Sequence, residues 1–222
     1  MKYINFHTHT EPENPDTEIA IVSCVAPEPL QEGPEGVWFS YGIHPWYIHG
    51  QDIDALLNKV KKIAANHKVI AIGEAGLDKI KGPALGLQKK IFCQQVDISE
   101  DIKKPLIIHS VKANNEILNL HKKMTPSQPW VIHGFSGHPQ EMEQFVKQGF
   151  YLSFGPKILY HQNNKAAESL ERIPGENLFL ETDHTNKSIS GLYIRGAEIR
   201  NTTVEKLGSS IEENFNRLFR FE

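Results

Sequence analysis

Short apolar runs alternate with longer amphipathic stretches along the chain. The apolar runs are rich in Val, Ile and Phe, which is typical of strands buried on both faces of a parallel sheet. They predict strands at Tyr3–Phe6, Ile19–Val25, Val37–Gly42, Val69–Gly73, Leu106–Ile108, Trp130–Ile132, Phe150–Ser153 and Leu178–Leu180.

The amphipathic stretches carry apolar residues at the i, i+3, i+4 spacing of a helix with one buried face. They predict helices at Asp52–Asn66, Leu87–Ile102, Lys112–His121, Gln140–Gln148, Asn164–Arg172 and Thr203–Leu218. Strands that alternate with helices imply βα units with right-handed crossovers. About eight strands favour an α/β fold of the TIM-type (β/α)8 barrel class, which we expect to span residues 1–222 as a single domain.

The segment between the first two predicted strands, HTHTEPENPDTE, breaks this alternation. Its prolines, acidic residues and asparagine are unsuited to a crossover helix, and the next connection, PEPLQEGPEG, is also rich in turn residues. We therefore expect a barrel that is distorted or lacks its first crossover helix.

Composition limits the classes of function. The chain has 222 residues and a formal net charge of −3, which argues against a stoichiometric DNA-coating protein, because such binding neutralises many phosphates. A metal enzyme that acts on phosphates stays open, since the metal supplies the positive charge. Cys24 and Cys93 do not form a disulfide framework, so we expect reduced thiols in a cytoplasmic protein. No apolar stretch approaches the roughly 20 residues needed to span a bilayer, so we expect no membrane partner. Monomer and dimer are both open.

Polar residues that could bind metal follow several predicted strands. In a (β/α)8 barrel the carboxyl ends of the strands share one mouth, where catalytic groups lie. Histidine and carboxylate ligands together suit Zn²⁺, Mn²⁺, Co²⁺ or Mg²⁺. The candidates are His7 and His9 after the first strand, Glu74 after the fourth, His109 after the fifth, His133 after the sixth and Asp183 after the eighth.

Each candidate also has an ordinary explanation. A histidine at a strand end can simply be hydrogen-bonded, Glu74 can pair with a lysine, and Asp183 can cap a turn. The coincidence of five polar strand ends favours a metal site, because each would be costly if buried and unpaired. His7 and His9 are two residues apart, so in a strand both can face the same side.

Two further histidines are candidates for substrate contact. His44 follows the third strand, and Pro45 restricts it to an extended conformation. His184 follows Asp183 directly and could reach the mouth, although a solvated position explains it equally well.

An ordered series of motifs resembles the TatD family of metal-dependent hydrolases, within the amidohydrolase-like superfamily. The motifs, which extend over most of the chain, are FHTHT, GIHPW, AIGEAGLD, QKKIFCQQ, PLIIHS, HGFSG, LETD and ENFNRLF. The chain departs from the family pattern at Asn5, where an acidic residue is common, and in HTNKSISGLYIRG after LETD.

The resemblance implies a set of roles. One metal would be held by His7, His9, Glu74 and Asp183, and a second by Glu74, His109 and His133, with His44 holding substrate. The cofactor would be one or two divalent ions, namely Zn, Mg, Mn, Co or Ni. The implied activity is hydrolysis of phosphodiester bonds, as in a deoxyribonuclease, with DNA or a small phosphodiester as substrate. We expect two catalytic residues, Asp183 as the general base and Glu74 as the ligand that bridges the ions.

Two alternatives stay open. Related barrels hydrolyse amides or deaminate bases, many of them with a carbamylated lysine on the fourth strand, whereas this chain has Glu74 there. The other alternative is a degenerate barrel that binds nucleic acid or protein without catalysis, for which the missing helix and altered loops argue.

Overall fold

The structure, a computed structural model, describes residues 2–12, 14–30, 32–160 and 164–219. These residues form eight strands: β1 (Tyr3–Thr8), β2 (Glu18–Val25), β3 (Val37–Gly42), β4 (Val69–Asp78), β5 (Leu106–Val111), β6 (Trp130–Ile132), β7 (Tyr151–Phe154) and β8 (Leu178–Leu180). The α-helices among them are α1 (Ile53–Ala64), α2 (Leu85–Ile102), α3 (Asn114–Met124), α4 (Pro139–Lys147), α5 (Lys165–Arg172), α6 (Ile189–Ile199) and α7 (Val204–Phe219).

The strands form one sheet in which their spatial order follows their order in the chain, from β1 to β8. The pairs β1–β2, β3–β4, β4–β5 and β7–β8 are parallel. From β3 onward a helix follows each strand, which gives the predicted succession of βα units. Within the described ranges, no helix is long and apolar enough to cross a membrane.

The first two connections contain no helix among their described residues, 9–12, 14–17, 26–30 and 32–36. This confirms the prediction that the first crossover helix is missing. A crossover helix would normally cover this side of the sheet. In its place lies a cleft of about 420 Å³, lined by Tyr3, Asn5 and Thr8 of β1 and by residues 185–190, among others.

The chain divides into two compact units. The first unit consists of Met1–Val22, Gly33–Val37 and Ile132–Glu222, and the second of Ser23–Glu32 and Trp38–Val131. In the first, the buried rings of Phe6 and Phe179 stack with their centroids 4.1 Å apart. In the second, the rings of Phe92 and Trp130, also buried, meet edge to face at 5.3 Å. The prediction of a single domain stays a prediction.

The structure differs from the predicted elements in two respects. β1, β4 and β5 continue beyond their predicted ends to Thr8, Asp78 and Val111, so His7, Glu74 and His109 lie within strands and not after them. α6 was not predicted, because Gly191 and Gly196 interrupt its sequence and lower its helix propensity. A Cβ at Gly196 would lie 3.1 Å from Leu207, so this glycine allows α6 to approach α7 closely.

Two buried glutamines of α2 hold the backbone at the ends of β3 and β4. Gln88 accepts the N–H of Asp78 at 2.8 Å and donates to the carbonyl of the same residue at 2.9 Å. Gln95 accepts the N–H of Ile43 at 2.7 Å and donates to its carbonyl at 3.0 Å. Ile43 directly precedes His44, so Gln95 fixes the backbone that carries a candidate functional histidine.

We expect Gln95→Leu to lower the free energy of unfolding by about 2–4 kcal/mol, because it leaves the buried N–H and C=O of Ile43 without partners. Lys90→Leu is the matched control, since Lys90 is exposed on the same helix, and a surface change of this kind costs about 0.5 kcal/mol or less. Urea unfolding of the full chain measures both. Equal stability of the two variants would contradict this role of Gln95.

Candidate metal centre

The backbone of the first unit brings Asp183 beside β1. Asp183 donates its N–H to the carbonyl of His7 at 3.0 Å, and its own carbonyl accepts the N–H of His9 at 3.3 Å. Thr8 and Asp183 thereby form a parallel bridge. The residues that follow β1 and β8 are held together by main-chain hydrogen bonds, independently of their side chains.

The side chains on this bridge form a cluster of metal-binding groups. Asp183 Oδ1 lies 3.4 Å from His9 Nε2 and 3.9 Å from His7 Nε2. The rings of His7 and His133 have centroids 4.3 Å apart. The ligand atoms of His7, His133 and Asp183 all lie within 4.8 Å of one another, and so do those of His9, Asp183 and His184. Such spacing suits coordination of a common ion.

Asp183 has an unusual backbone conformation, with φ at +52°. This left-handed region costs a residue with a side chain about 1–3 kcal/mol, although Asp and Asn tolerate it best, and such strained residues recur at active sites. The Asp183 side chain is 34% exposed, whereas that of His7 is fully buried. Solvent therefore reaches the carboxylate of Asp183 beside a buried imidazole.

The second unit holds another cluster around Glu74, in the middle of β4. Glu74 is 3% exposed. Its Oε1 accepts a hydrogen bond from Ser23 Oγ at 3.3 Å, and its Oε2 lies 3.5 Å from His44 Nε2 and 3.4 Å from His109 Nδ1. The ligand atoms of His44, Glu74 and His109 also lie within 4.8 Å of one another.

His44 differs from a metal ligand in its hydrogen bonding. It has the expected extended backbone before Pro45, with φ −68° and ψ 139°, and its Nδ1 accepts the N–H of Trp46 at 3.1 Å. A neutral imidazole has one acceptor and one donor nitrogen, so Nε2 of His44 carries the proton. His44 therefore presents an N–H donor toward Glu74, which suits contact with a substrate oxygen better than coordination.

His184 is exposed at the surface of the first unit. Its ring stacks on that of His9, with centroids 3.5 Å apart and planes 6° apart. The sequence left open whether this histidine reaches the site or is merely solvated. The structure places it against a member of the cluster while leaving it accessible.

Two buried carboxylates escaped the sequence analysis. Asp78, at the end of β4, lies 3.3 Å from His109 Nε2 through its Oδ2. Burial alone would raise the pKa of Asp78, but hydrogen bonds from the Trp46 indole, the backbone of Lys81 and Ile80, and His109 together lower it below its ordinary value. Glu181 lies 3.4 Å from His133 Nδ1. The available signal was an acidic residue inside or just after a buried apolar strand, in GEAGLD and LFLETD.

The donor set fits a divalent ion. Imidazole nitrogens and carboxylate oxygens are the ligands that zinc, manganese and cobalt share. Glu181 is fully buried, and within the described ranges its Oε2 has no hydrogen-bond partner. A buried ionised carboxylate is costly unless positive charge lies nearby, and a cation on the neighbouring His133 would supply it.

Comparisons with known proteins identify the family of the chain. A family model described as TatD related DNase matches residues 26–220. The uncharacterized metal-dependent hydrolase YabD of Bacillus subtilis is 30% identical over 177 residues, which are 72% of this chain and 69% of the relative. The uncharacterized metal-dependent hydrolase YjjV of Escherichia coli is 27% identical over 165 residues, 73% of this chain and 63% of the relative.

Solved structures show the same fold. The crystal structure of YjjV, a TatD homologue from Escherichia coli K12, matches with a TM-score of 0.87 at 21% identity, over 99% of this chain and 98% of its own. A TatD family hydrolase from Entamoeba histolytica matches with a TM-score of 0.77 at 15% identity, over 98% of each chain. The predicted TIM-type (β/α)8 fold class is confirmed.

The match to the family model covers most of the chain, and the curated relatives named above are metal-dependent hydrolases. The chain therefore belongs to the TatD related DNase family and is a metal-dependent hydrolase of that family.

Proposed function

We propose that the protein hydrolyses phosphodiester bonds with one or two divalent metal ions, as a TatD-like deoxyribonuclease. The observation that carries the proposal is the group formed by His7, His133 and Asp183, whose ligand atoms lie within 4.8 Å of one another. The description of the matching family as a DNase supports the choice of bond.

The proposed ligands are histidines and carboxylates of the two clusters described above. In the first unit they are His7, His9, His133 and Asp183, and in the second they are Glu74 and His109. The role of Glu74 as a ligand shared by two ions carries over from the family resemblance. The mixture of nitrogen and oxygen donors suits Zn²⁺, Mn²⁺, Co²⁺ and Ni²⁺, while Mg²⁺ would rely mainly on the carboxylates.

The residues of the chain divide the chemistry among them. A bound divalent ion supplies an acidified water and offsets negative charge on the phosphate oxygens. Asp183 accepts the proton of the attacking water on a carboxylate oxygen, for which its 34% exposure gives water access. His44 donates its Nε2–H to a phosphate oxygen, because its Nδ1 is occupied by the N–H of Trp46. His184, exposed and stacked on His9, contacts the substrate at the rim.

The residue at the centre of β4 favours phosphodiesters over amides. Related barrels that hydrolyse amides or deaminate bases often use a carbamylated lysine on the fourth strand. β4 reads VIAIGEAGLD and contains Glu74 but no lysine. We accordingly propose DNA or a small phosphodiester as the substrate. We also propose the cytoplasm as the compartment. A monomer and a dimer are both compatible with this role.

Chelation with EDTA is expected to abolish hydrolysis of DNA and of bis(p-nitrophenyl) phosphate. The reason is that every proposed step needs the positive charge of a bound metal ion. Adding Mn²⁺, Zn²⁺, Co²⁺ or Mg²⁺ in turn should restore the activity and identify the preferred metal. Release of nitrophenol and of acid-soluble nucleotides measures it.

The same preparation should be assayed on cyclic amides and nucleobases as the comparison substrates. Turnover of those, with none of phosphodiesters, would replace the proposal with the amide or amine hydrolase alternative. Binding of DNA that is indifferent to EDTA and never leads to cleavage would favour a non-catalytic barrel.

Asp183→Asn should lower kcat by at least about 10²-fold while the fold is retained, because an amide cannot accept the proton of water. Asparagine also tolerates the left-handed φ of this position, so the backbone need not move. The control is Asp97→Asn, which alters an exposed carboxylate on α2. Thermal unfolding checks the fold, and full activity of the Asp183→Asn variant with metal present would remove Asp183 from the mechanism.

His184→Ala should raise KM several-fold and leave kcat within about 2-fold, because binding that is equal in ground and transition states appears in KM alone. His67→Ala is the control, since His67 is also an exposed histidine and lies just after α1. Steady-state kinetics on a short oligonucleotide separates the two constants. An unchanged KM would leave His184 as a solvated residue.

A further inference from the structure

In each unit one ring nitrogen of a histidine is hydrogen-bonded to a buried carboxylate, and that nitrogen differs between the two units. His109 meets Asp78 through Nε2, and His133 meets Glu181 through Nδ1. A neutral imidazole whose N–H is held by an acceptor offers only its other nitrogen to a metal. The inference below rests on the proposed function, because it takes His109 and His133 as metal ligands.

Asp78 is held in one orientation by four donors. Its Oδ2 accepts the indole N–H of Trp46 at 2.7 Å and lies 3.3 Å from His109 Nε2. Its Oδ1 accepts the backbone N–H groups of Ile80 at 2.7 Å and Lys81 at 2.9 Å. Both carboxylate oxygens are therefore engaged, and Oδ2 is fixed toward the histidine.

With its Nε2–H directed at Asp78, His109 presents the lone pair of Nδ1 to the site. Nδ1 lies 3.4 Å from Glu74 Oε2. Two ligands of one tetrahedral zinc ion, each about 2.0–2.1 Å from the metal, are separated by about 3.3–3.4 Å. The spacing of Nδ1 and Oε2 thus matches that of two ligands on a shared ion.

Glu181 makes the complementary arrangement in the first unit. Its Oε1 accepts the backbone N–H of Gly134 at 2.7 Å and lies 3.4 Å from His133 Nδ1. Gly134 has φ at +58°, a left-handed conformation that glycine adopts readily, and this turn directs its N–H to the same carboxylate. With Nδ1–H directed at Glu181, His133 presents Nε2.

We propose that Asp78 and Glu181 are positioning residues that fix His109 and His133 in opposite tautomers. His109 then binds metal through Nδ1 and His133 through Nε2. A purely structural role for either carboxylate would require only the hydrogen bonds to Trp46 or Gly134 and would leave the tautomer of the histidine unspecified.

The two carboxylates should respond differently to the same chemical change. Asp78 uses both oxygens as acceptors, one for Trp46 and His109 and the other for the backbone of Ile80 and Lys81. Whichever way the amide of Asp78→Asn is turned, its NH₂ group faces one of these two pairs of donors. Glu181 uses only Oε1, so Glu181→Gln can keep its carbonyl oxygen toward Gly134 and His133. Glu181→Leu removes the acceptor and is matched to Gln in size.

The test combines two measurements on the full-length protein. Two-bond ¹H–¹⁵N correlation spectra of protein labelled with ¹⁵N-histidine report which ring nitrogen carries the proton, with His109→Gln and His133→Gln as assignment variants. Calorimetric or chelator-competition titration with Zn²⁺ reports metal affinity. We expect an Nε2–H tautomer for His109 and an Nδ1–H tautomer for His133, both before and after zinc is added.

Glu181→Leu and Asp78→Asn should each weaken Zn²⁺ binding by about 10- to 100-fold, the usual effect of losing such a partner of a ligating histidine. Glu181→Gln should retain the His133 tautomer and bind Zn²⁺ within about 3-fold of the unchanged protein. Circular dichroism and thermal unfolding establish that each variant is folded. If Asp78→Asn does not fold, the two Glu181 variants and the spectra of the unchanged protein decide the matter.

The same tautomer on both rings, or equal loss of affinity in Glu181→Gln and Glu181→Leu, would overturn the inference. Zinc binding and phosphodiester hydrolysis with the wrong tautomers would overturn it while leaving the proposed function intact. The expected tautomers and zinc affinities in a protein that cleaves no phosphodiester would support it and contradict the proposed function.

Discussion

The main-chain pairing of the end of β1 with the segment that follows β8 is the interaction on which the rest of the site in the first unit depends. The backbone of Asp183 is hydrogen-bonded to the backbone of His7 and His9. The position of Asp183 beside β1 therefore does not depend on side-chain contacts. Asn5 reinforces this pairing, because its amide accepts the N–H of Thr182 at 3.0 Å and donates to Thr182 Oγ1 at 2.8 Å. An ionised carboxylate in this position could accept the N–H of Thr182 but could not donate, whereas the amide of Asn5 does both.

Much of the architecture could be predicted because local rules and tertiary packing agree. Buried parallel strands must be apolar on both faces, and polar residues that interrupt or end such strands are costly unless they have partners. This reasoning identified His7, His109 and His133 without any knowledge of their neighbours. It also predicted the missing helix after β1, because two prolines within so short and polar a connection disfavour a helix there.

The parts that sequence reasoning missed depend on contacts distant in the chain. α6 contains Gly191 and Gly196, which weaken a helix in isolation, and it forms because Gly196 lets it pack against α7. β4 extends past Glu74 because it pairs with β5 as far as Asp78 and Val111, and Gln88 of α2 holds the backbone of Asp78. Glu181 resembles any acidic residue after an apolar run until His133 is placed beside it. Secondary structure and ligand candidates are local properties, whereas the partners of those ligands are not.

Asp78 shows how such a partner can link substrate contact to metal binding. Its Oδ2 is shared by the indole of Trp46 and the ring of His109. Trp46 in turn donates its backbone N–H to His44, so the segment that carries the proposed substrate donor is tied to a proposed metal ligand through one carboxylate oxygen. A shift of the Pro45–Tyr47 turn would therefore change both the direction of the His44 donor and the acceptor available to His109. In this family member, whose first two crossover helices are absent from the described residues, that shared oxygen connects the segment after β3 with the proposed metal ligand of β5.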